Sequence, residues 1–357
     1  MTDDDLTQLD PDTAPVTYGD TTAPLLSVQD LSVSFATDDG IVRAVDSVTF
    51  DIHDRETVGI VGESGSGKSV SSLAILRLLP KSATISGDIK FRGESLFARS
   101  EHEMEKIRGQ EISMIFQDAL AALNPVYTVG KQVMEVMSVH NDDDLKDDAI
   151  RERAIELLDI VGIPNPSRRV DEYPHEYSGG MRQRAMIAMA IANDPALLIA
   201  DEPTTALDVT IQAQVLEVLE RIQDRTNSSI VLITHDLGVV AGVVEKVVVM
   251  YAGRQVEIGS VDDTFYEPRH PYTEGLLASL PRLDRRSDKN SRLHRIVGQP
   301  PSLIQLPSGC AFHPRCPYGE VPGRCSTDRP ELAVVGPEHR SACFFPERVG
   351  SVIEATS

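Results

Sequence analysis

No stretch of this chain approaches the roughly 18 consecutive apolar residues that a helical membrane span requires. Its most apolar runs, Ala185 to Ala192 and Ile230 to Ile233, are far too short. There is no Lys or Arg before Arg43, while Asp3, Asp4, Asp5, Asp10 and Asp12 crowd the N-terminus. Neither a secretory leader nor a basic targeting segment is expected, and the chain is read as intracellular. Positive charge is scarce throughout: 34 Lys and Arg face 55 Asp and Glu, a formal net charge of −21. Phosphate backbones are bound by an excess of basic groups, so nucleic acid is not an expected partner. Cysteine is missing before Cys310, and no internal repeat is found.

At 357 residues and 41% hydrophobic content there is enough chain for one large folded domain with an appendage, or for two modest domains. The acidic balance is that of proteins from cells with high internal salt, or of an ordinary acidic cytosolic protein. A rise in stability in molar salt separates the two.

Residues 1–24 are acidic, rich in Thr and Pro, and without periodicity, and are expected to be a disordered tail. Leu26 to Val28, Leu31 to Phe35 and Val45 to Ile52 alternate apolar with polar residues, as half-exposed antiparallel strands do, with a turn at Asp38-Asp39-Gly40. Thr57 to Val61 is continuously apolar, which suits a buried strand of a parallel sheet. A helix is expected from Lys68 to about Leu79, closed by Pro80. Residues from about 118 to 177 read as an inserted helical subdomain, with helices at Val129 to Val139 and Lys146 to Val161 around an acidic connection at Asn141 to Asp144. An α/β pattern then resumes through Tyr251. After Tyr266 the chain turns rich in Pro, Arg and Cys, which marks a small separate unit.

Gly62-Glu63-Ser64-Gly65-Ser66-Gly67-Lys68-Ser69 follows an apolar strand and opens a helix, the context a phosphate loop requires. Glycines let backbone N–H groups converge on phosphate oxygens at a helix N-terminus. Lys68 adds a point charge, and the Ser69 hydroxyl can ligate Mg²⁺. Asp201 ends an apolar strand and is a second candidate Mg²⁺ ligand. Glu202 is the candidate base for an attacking water. Gln117 and His235 end two further strands, Gln117 in reach of the metal or the water and His235 of the γ-phosphate. Four strands thus deliver polar residues to the edge where open α/β sheets bind ligands. Ser178-Gly179-Gly180 opens another helix and can hold a γ-phosphate, but a long insertion separates it from its own chain's phosphate loop.

In this order the motifs resemble those of ATP-binding cassette (ABC) ATPases, over about Leu25 to Phe265. The resemblance implies an α/β, RecA-like P-loop NTPase core with an antiparallel β subdomain and the inserted helical subdomain. It makes residues 62–69 the Walker A loop, Gln117 the Q-loop residue, Ser178 to Arg182 the signature, Asp201 and Glu202 the Walker B pair, Ala206-Leu207-Asp208 the D-loop and His235 the switch histidine. Met181 departs from the Gln usual there. Phe35 is the best match for the aromatic that stacks on adenine. ATP then lies between one cassette's Walker A loop and the other's Ser178, so a second copy or a homologous partner is required.

Cys310, Cys316, Cys325 and Cys343 are spaced C-x5-C-x8-C-x17-C. By chemistry alone this leaves an iron–sulfur cluster, Zn²⁺ and free structural thiols open. His270-Pro271-Tyr272-Thr273 and Gly309 to Pro317 resemble the C-terminal extension of ATPase subunits of dipeptide, oligopeptide and nickel importers. That resemblance places an oligopeptide-type C-terminal domain at 266–346, with a tail at 347–357, and implies a [4Fe-4S] cluster on the four cysteines. Met181 sits closer to the D-type subunit, whose partners are an F-type ATPase, two membrane permeases and an external substrate-binding protein. The implied place is the cytoplasmic face of the membrane, as a peripheral subunit. Two rivals are a soluble cassette ATPase acting on ribosomes or DNA, disfavoured by the acidic charge, and an ATPase whose cysteines sense redox state.

Overall fold

The computed structural model describes residues 23–118, 122–140, 146–205, 208–280 and 295–350. All but the last two residues of the tail expected at 1–24, the connection Asn141 to Asp144, the pair Ala206-Leu207 and most of the tail at 347–357 therefore lie outside the described residues. The N-terminal alternating stretches form β1 (Leu26–Thr37) and β2 (Gly40–Ile52). β1 is one strand rather than the two short ones expected, because Asp30 at φ 49° absorbs a register slip between Val28 and Leu31. Along β2 the buried Val48, Phe50 and Ile52 alternate with exposed Thr49 and Asp51, so one face packs and the other meets water.

β3 (Thr57–Val61) is buried at every residue, and β4 (Ala83–Phe91) with β5 (Glu94–Ser95) returns to the first sheet. That sheet has four strands in the order β2-β1-β4-β5, with antiparallel pairing throughout. The helix after the phosphate loop is Lys68–Ile75, one turn shorter than expected. Arg77 takes a left-handed φ of 53°, and the Leu78 N–H reaches back to the Leu73 carbonyl at 2.9 Å, so the chain caps before Pro80.

The second sheet continues with β6 (Ile112–Ile115), β7 (Leu197–Asp201), β8 (Ser229–Thr234), β9 (Lys246–Tyr251) and β10 (Arg254–Ser260). β9, β3, β8, β7 and β6 are parallel neighbours in that order. Every residue of β3, β6, β7 and β8 is buried, as parallel strands covered on both faces must be. Between β6 and β7 the helices Val129–Val139, Asp147–Ile160 and Gly179–Ala190 bury Val133, Ala154, Leu157 and Ala185 completely. The first two of these helices fall within the stretch read as a helical insertion at about 118–177, and the third falls where the α/β pattern was expected to resume.

The segment after Tyr266 is not a separate unit. Two short strands, β11 (Ala333–Val334) and β12 (Arg340–Ser341), pair with each other, and β12 pairs with β10, extending the parallel sheet to eight strands. Glu257 on β10, fully buried, accepts hydrogen bonds from the Arg269 and His270 N–H groups at 2.6 and 3.0 Å and lies 2.7 Å from His339 Nε2. An unforeseen helix, Pro271–Ala278, starts there. His270 caps it, its Nδ1 accepting the Tyr272 N–H at 3.1 Å, and burial pushes the His270 pKa down to about 3, which keeps the ring neutral and able to accept.

Glu257→Ala would strand the buried His270 N–H and His339 ring and the half-buried Arg269 N–H, at about 1–3 kcal/mol for each buried group. Chemical denaturation is expected to give a lower midpoint, with new proteolytic cleavage within residues 266–350. An unchanged midpoint would show that this carboxylate does not join the C-terminal region to the sheet.

Candidate nucleotide site

The loop between β3 and helix Lys68–Ile75 needs glycine at two places for lack of room. A Cβ on Gly62 would fall 2.1 Å from the Met250 carbonyl oxygen, and one on Gly67 2.3 Å from that of Ala44. Both residues also have positive φ, 155° and 101°. The Ser66 N–H donates to the Glu63 carbonyl at 3.2 Å, and the Gly253 N–H donates to the Ser66 carbonyl at 3.0 Å, closing the curl. Lys68 folds back over it, its Nζ donating to the Gly62 and Glu63 carbonyls at 2.7 and 3.0 Å. Burial lowers its pKa, and the charges of Glu202, Asp201 and Glu63 oppose that shift.

Asp201 ends β7, and its Oδ1 accepts the Ser69 hydroxyl at 3.0 Å. Burial raises its pKa; the Ser69 hydrogen bond opposes this, the Glu202 charge adds to it, and Lys68 opposes it. At Glu202 the chain turns through a left-handed φ of 48°, at a cost of about 1–3 kcal/mol for a non-glycine residue. Its N–H still donates to the Ile233 carbonyl at 2.9 Å, the last rung between β7 and β8. Its Oε2 accepts Gln117 Nε2 at 2.9 Å and Thr205 Oγ1 at 2.7 Å, and lies 3.5 Å from His235 Nδ1. Lys68 Nζ is 4.0 Å from Oε1. Parallel pairing makes this possible: the phosphate loop, His235, Asp201 with Glu202, and Gln117 follow the C-terminal ends of β3, β8, β7 and β6, which are neighbours in that order.

The groups face an open cavity of about 640 Å³ lined by Glu63 to Val70, Gln117, Glu202 and His235. Gln299 and Pro300 also line it, from a Pro-rich stretch that carries no phosphate-binding pattern. Thr205 was likewise missed. Its place three residues after Glu202 is the only sequence signal for it.

Phe35 is not among the lining residues; it is half-buried on β1, opposite Val42 and Ala83. Ser178 and Asp208 do not line this cavity either. Ser178 caps helix Gly179–Ala190, accepting the Met181 N–H at 3.3 Å, and Asp208 caps helix Val209–Thr226, accepting the Ile211 N–H at 3.0 Å. Gly180 packs these helices together, since a Cβ there would sit 3.2 Å from Ile211 Cγ2. Ser178, Gly179 and Asp208 are exposed.

Cys310, Cys316, Cys325 and Cys343 line one small cavity of about 20 Å³ beside Phe312, Phe344 and Phe345. All four are free thiols. Burial pushes the Cys316 thiol up to about 11 and Cys343 up to about 12, and raises Cys310 as well. The expected metal-ligating set is not seen as such: among the described residues no three His, Cys, Asp or Glu side chains are gathered closely enough to hold a metal ion.

The ABC transporter family matches residues 45–205, and the family described as oligopeptide/dipeptide transporter, C-terminal region, matches residues 256–321. The oligopeptide transport ATP-binding protein OppD of Bacillus subtilis is 54% identical, over 82% of this chain and 82% of its own length. A Brucella abortus protein whose name cites peptide import and ATP binding is 50% identical, over 88% and 93%. Among solved structures, the dimeric cassette MJ0796 in a post-hydrolysis state bound to ADP and Pi superposes with a TM-score of 0.60 at 25% identity, covering 66% of this chain and 98% of that one. The cassette cbiO1 of Clostridium perfringens gives 0.58 at 27% identity, covering 68% and 91%. With a P-loop cassette core and polar groups from four strand ends gathered on one sheet edge, the chain belongs to the ATP-binding subunits of the ABC transporter family, in the branch that carries the oligopeptide/dipeptide transporter C-terminal region.

Proposed function

We propose that this chain is the ATP-hydrolysing subunit of an importer of di- and oligopeptides, coupling ATP-driven pairing of two cassettes to uptake through partner permeases. The observation that carries this reading is the union of polar groups from four strand ends around residues 62–69 with a C-terminal region of the oligopeptide/dipeptide type. The β- and γ-phosphates sit in the backbone cradle at the start of helix Lys68–Ile75, and Lys68 exchanges its carbonyl partners for phosphate oxygens. Ser69 and Asp201, already hydrogen-bonded to each other, offer the oxygen donors Mg²⁺ takes, with Gln117 beside them. When bound, the metal neutralises charge on the β and γ oxygens.

Glu202 polarises the attacking water and takes its proton as the new bond forms from the water oxygen to the γ-phosphorus and the β–γ bridge bond breaks. Gln117 and Thr205 hold that carboxylate, and His235 faces the γ-phosphate. Ser178, Gly179, Gly180 and Asp208 serve the ATP of a second cassette. The exposure of Ser178, Gly179 and Asp208 at two packed helix starts, none of them lining this chain's own phosphate cavity, supports that role. Phe35 is assigned to adenine. The second cassette is an F-type homologue or another copy of this chain.

Two membrane permeases and an external binding protein complete the importer, with this subunit peripheral on the cytoplasmic face. No helix among the described residues is long and apolar enough to cross a membrane. Exposed Phe116, Val126 and Tyr127, next to Gln117 and the helical insertion, support permease docking there. Residues 266–346 form the C-terminal region, and its four thiols are assigned to a [4Fe-4S] cluster, with Zn²⁺ as the alternative. All four line one small cavity, which supports a shared group, although they would have to draw closer together to hold it.

Glu202→Gln is expected to lower ATP turnover by about 100-fold or more while ATP still binds, leaving a persistent ATP-bound dimer on size exclusion. Wild-type turnover would remove Glu202 from the role of base. In the complex reconstituted with its permeases, peptide-loaded binding protein is expected to raise ATPase activity several-fold; stimulation by nickel-loaded binding protein instead would assign the chain to nickel uptake. Chain purified without oxygen is expected to contain iron and acid-labile sulfide, and stoichiometric zinc without sulfide would select the alternative.

A further inference from the structure

The phosphate loop contains a carboxylate, Glu63, where an anionic ligand must approach. Such a group costs affinity unless its charge is balanced. Every polar group of Glu63 has a partner, and two of these come from the far end of the chain. Its carboxylate accepts two hydrogen bonds from the Arg315 guanidinium, Nη1 to Oε2 at 2.6 Å and Nη2 to Oε1 at 2.9 Å. Its N–H donates to the Tyr272 hydroxyl at 2.7 Å. Its carbonyl accepts from Lys68 Nζ and from the Ser66 N–H.

Arg315 is built into place. Its side chain is only 5% exposed, its Nε donates to the Val297 carbonyl at 3.2 Å, and Nη1 also reaches the Tyr251 hydroxyl at 3.3 Å. The guanidinium lies 5.7 Å from the Tyr251 ring and 5.9 Å from the Phe312 ring. Those rings and Tyr272 pack on one another with centroids 4.7 to 5.5 Å apart. The same short turn, His313–Arg315, delivers Arg315 to the phosphate loop and, one residue later, Cys316 to the thiol cavity.

We propose that Arg315 and Tyr272 are positioning residues for ATP binding: the C-terminal region braces the phosphate loop through Glu63, and Arg315 cancels the Glu63 charge that would otherwise repel the triphosphate. The bidentate fork sets the loop's conformation, and its charge makes a carboxylate tolerable beside phosphate. A cassette core cut before Tyr266 loses both partners of Glu63. The inference rests on residues 62–69 being the phosphate loop, and the experiment separates failure of that assignment from failure of the brace.

The test is ATP·Mg²⁺ titration of the full-length chain by calorimetry, with thermal unfolding measured on each variant without nucleotide. Lys68→Ala checks the loop assignment; binding that survives in it would overturn that reading alone. Arg315→Gln is expected to weaken ATP binding about tenfold, within the range of coupled charge pairs. The deficit should shrink as salt is raised, because the uncovered Glu63 charge is then screened. Glu63→Gln added to Arg315→Gln is expected to restore affinity to within about threefold of wild type, since no uncovered carboxylate remains. Arg315→Lys, which keeps the charge but loses the fork, should fall between wild type and Arg315→Gln, and it serves as the readout if Arg315→Gln does not fold. Wild-type affinity in Arg315→Gln, or a double variant as weak as the single one at every salt concentration, would overturn the proposal. A purely structural role for Arg315 predicts that second result.

Discussion

The Glu202 carboxylate accepts hydrogen bonds from Gln117 at 2.9 Å and Thr205 at 2.7 Å, with His235 at 3.5 Å and Lys68 at 4.0 Å. These groups come from the ends of four adjacent parallel strands, so the contact exists only if β3, β8, β7 and β6 are in correct order and register. The left-handed turn at Glu202 is the strained element of the arrangement, and the Ile233 hydrogen bond together with the side-chain contacts holds it. Displacing any of the four strands by one residue would separate the Glu202 carboxylate from the groups that hold it, because side chains alternate faces along a strand.

The C-terminal region joins this constraint from the other side. Glu257 ties it to β10, β12 extends the sheet, and Tyr272 and Arg315 reach the phosphate loop itself. Nucleotide site and thiol cavity are therefore linked through adjacent residues, Arg315 hydrogen-bonded to Glu63 and Cys316 lining the thiol cavity. Tyr251, Tyr272 and Phe312 pack on one another beside that link, Tyr251 and Tyr272 hydrogen-bonded to Arg315 and Glu63 respectively and Phe312 lining the thiol cavity. A change in how the cavity's thiols are held would act on a turn whose last residue grips Glu63.

Much of the architecture was legible from periodicity. The helix Val129–Val139 and the strand Ser229–Thr234 occur where the pattern put them, and the buried run Thr57 to Val61 is a central parallel strand. Helix Lys68–Ile75 was read one turn too long because Pro80 is a visible stop, whereas the left-handed Arg77 that ends it earlier has no signature in residue type. The C-terminal region was read as separate because strands of two residues carry no alternation to detect. Its helix, Pro271–Ala278, is little longer than two turns, and it buries Thr273 and Glu274 as well as Tyr272 and Leu276, so no apolar period marks it.

By itself the sequence determined the chemistry: a glycine-rich loop after an apolar strand, carboxylates at a strand end, and four thiols near the C-terminus. These are local facts, carried by residue type and short spacing. The convergence of strand-end groups was expected, but their actual partners and the C-terminal contacts were decided by tertiary structure. Arg315 lies 252 positions from Glu63 and Gln117 lies 85 from Glu202, and only the strand order and the β10–β12 pairing close those distances. The physical reason is that a side chain's residue type limits which partners it can accept, while its partner is whatever donor or acceptor the packed backbone brings within about 3 Å.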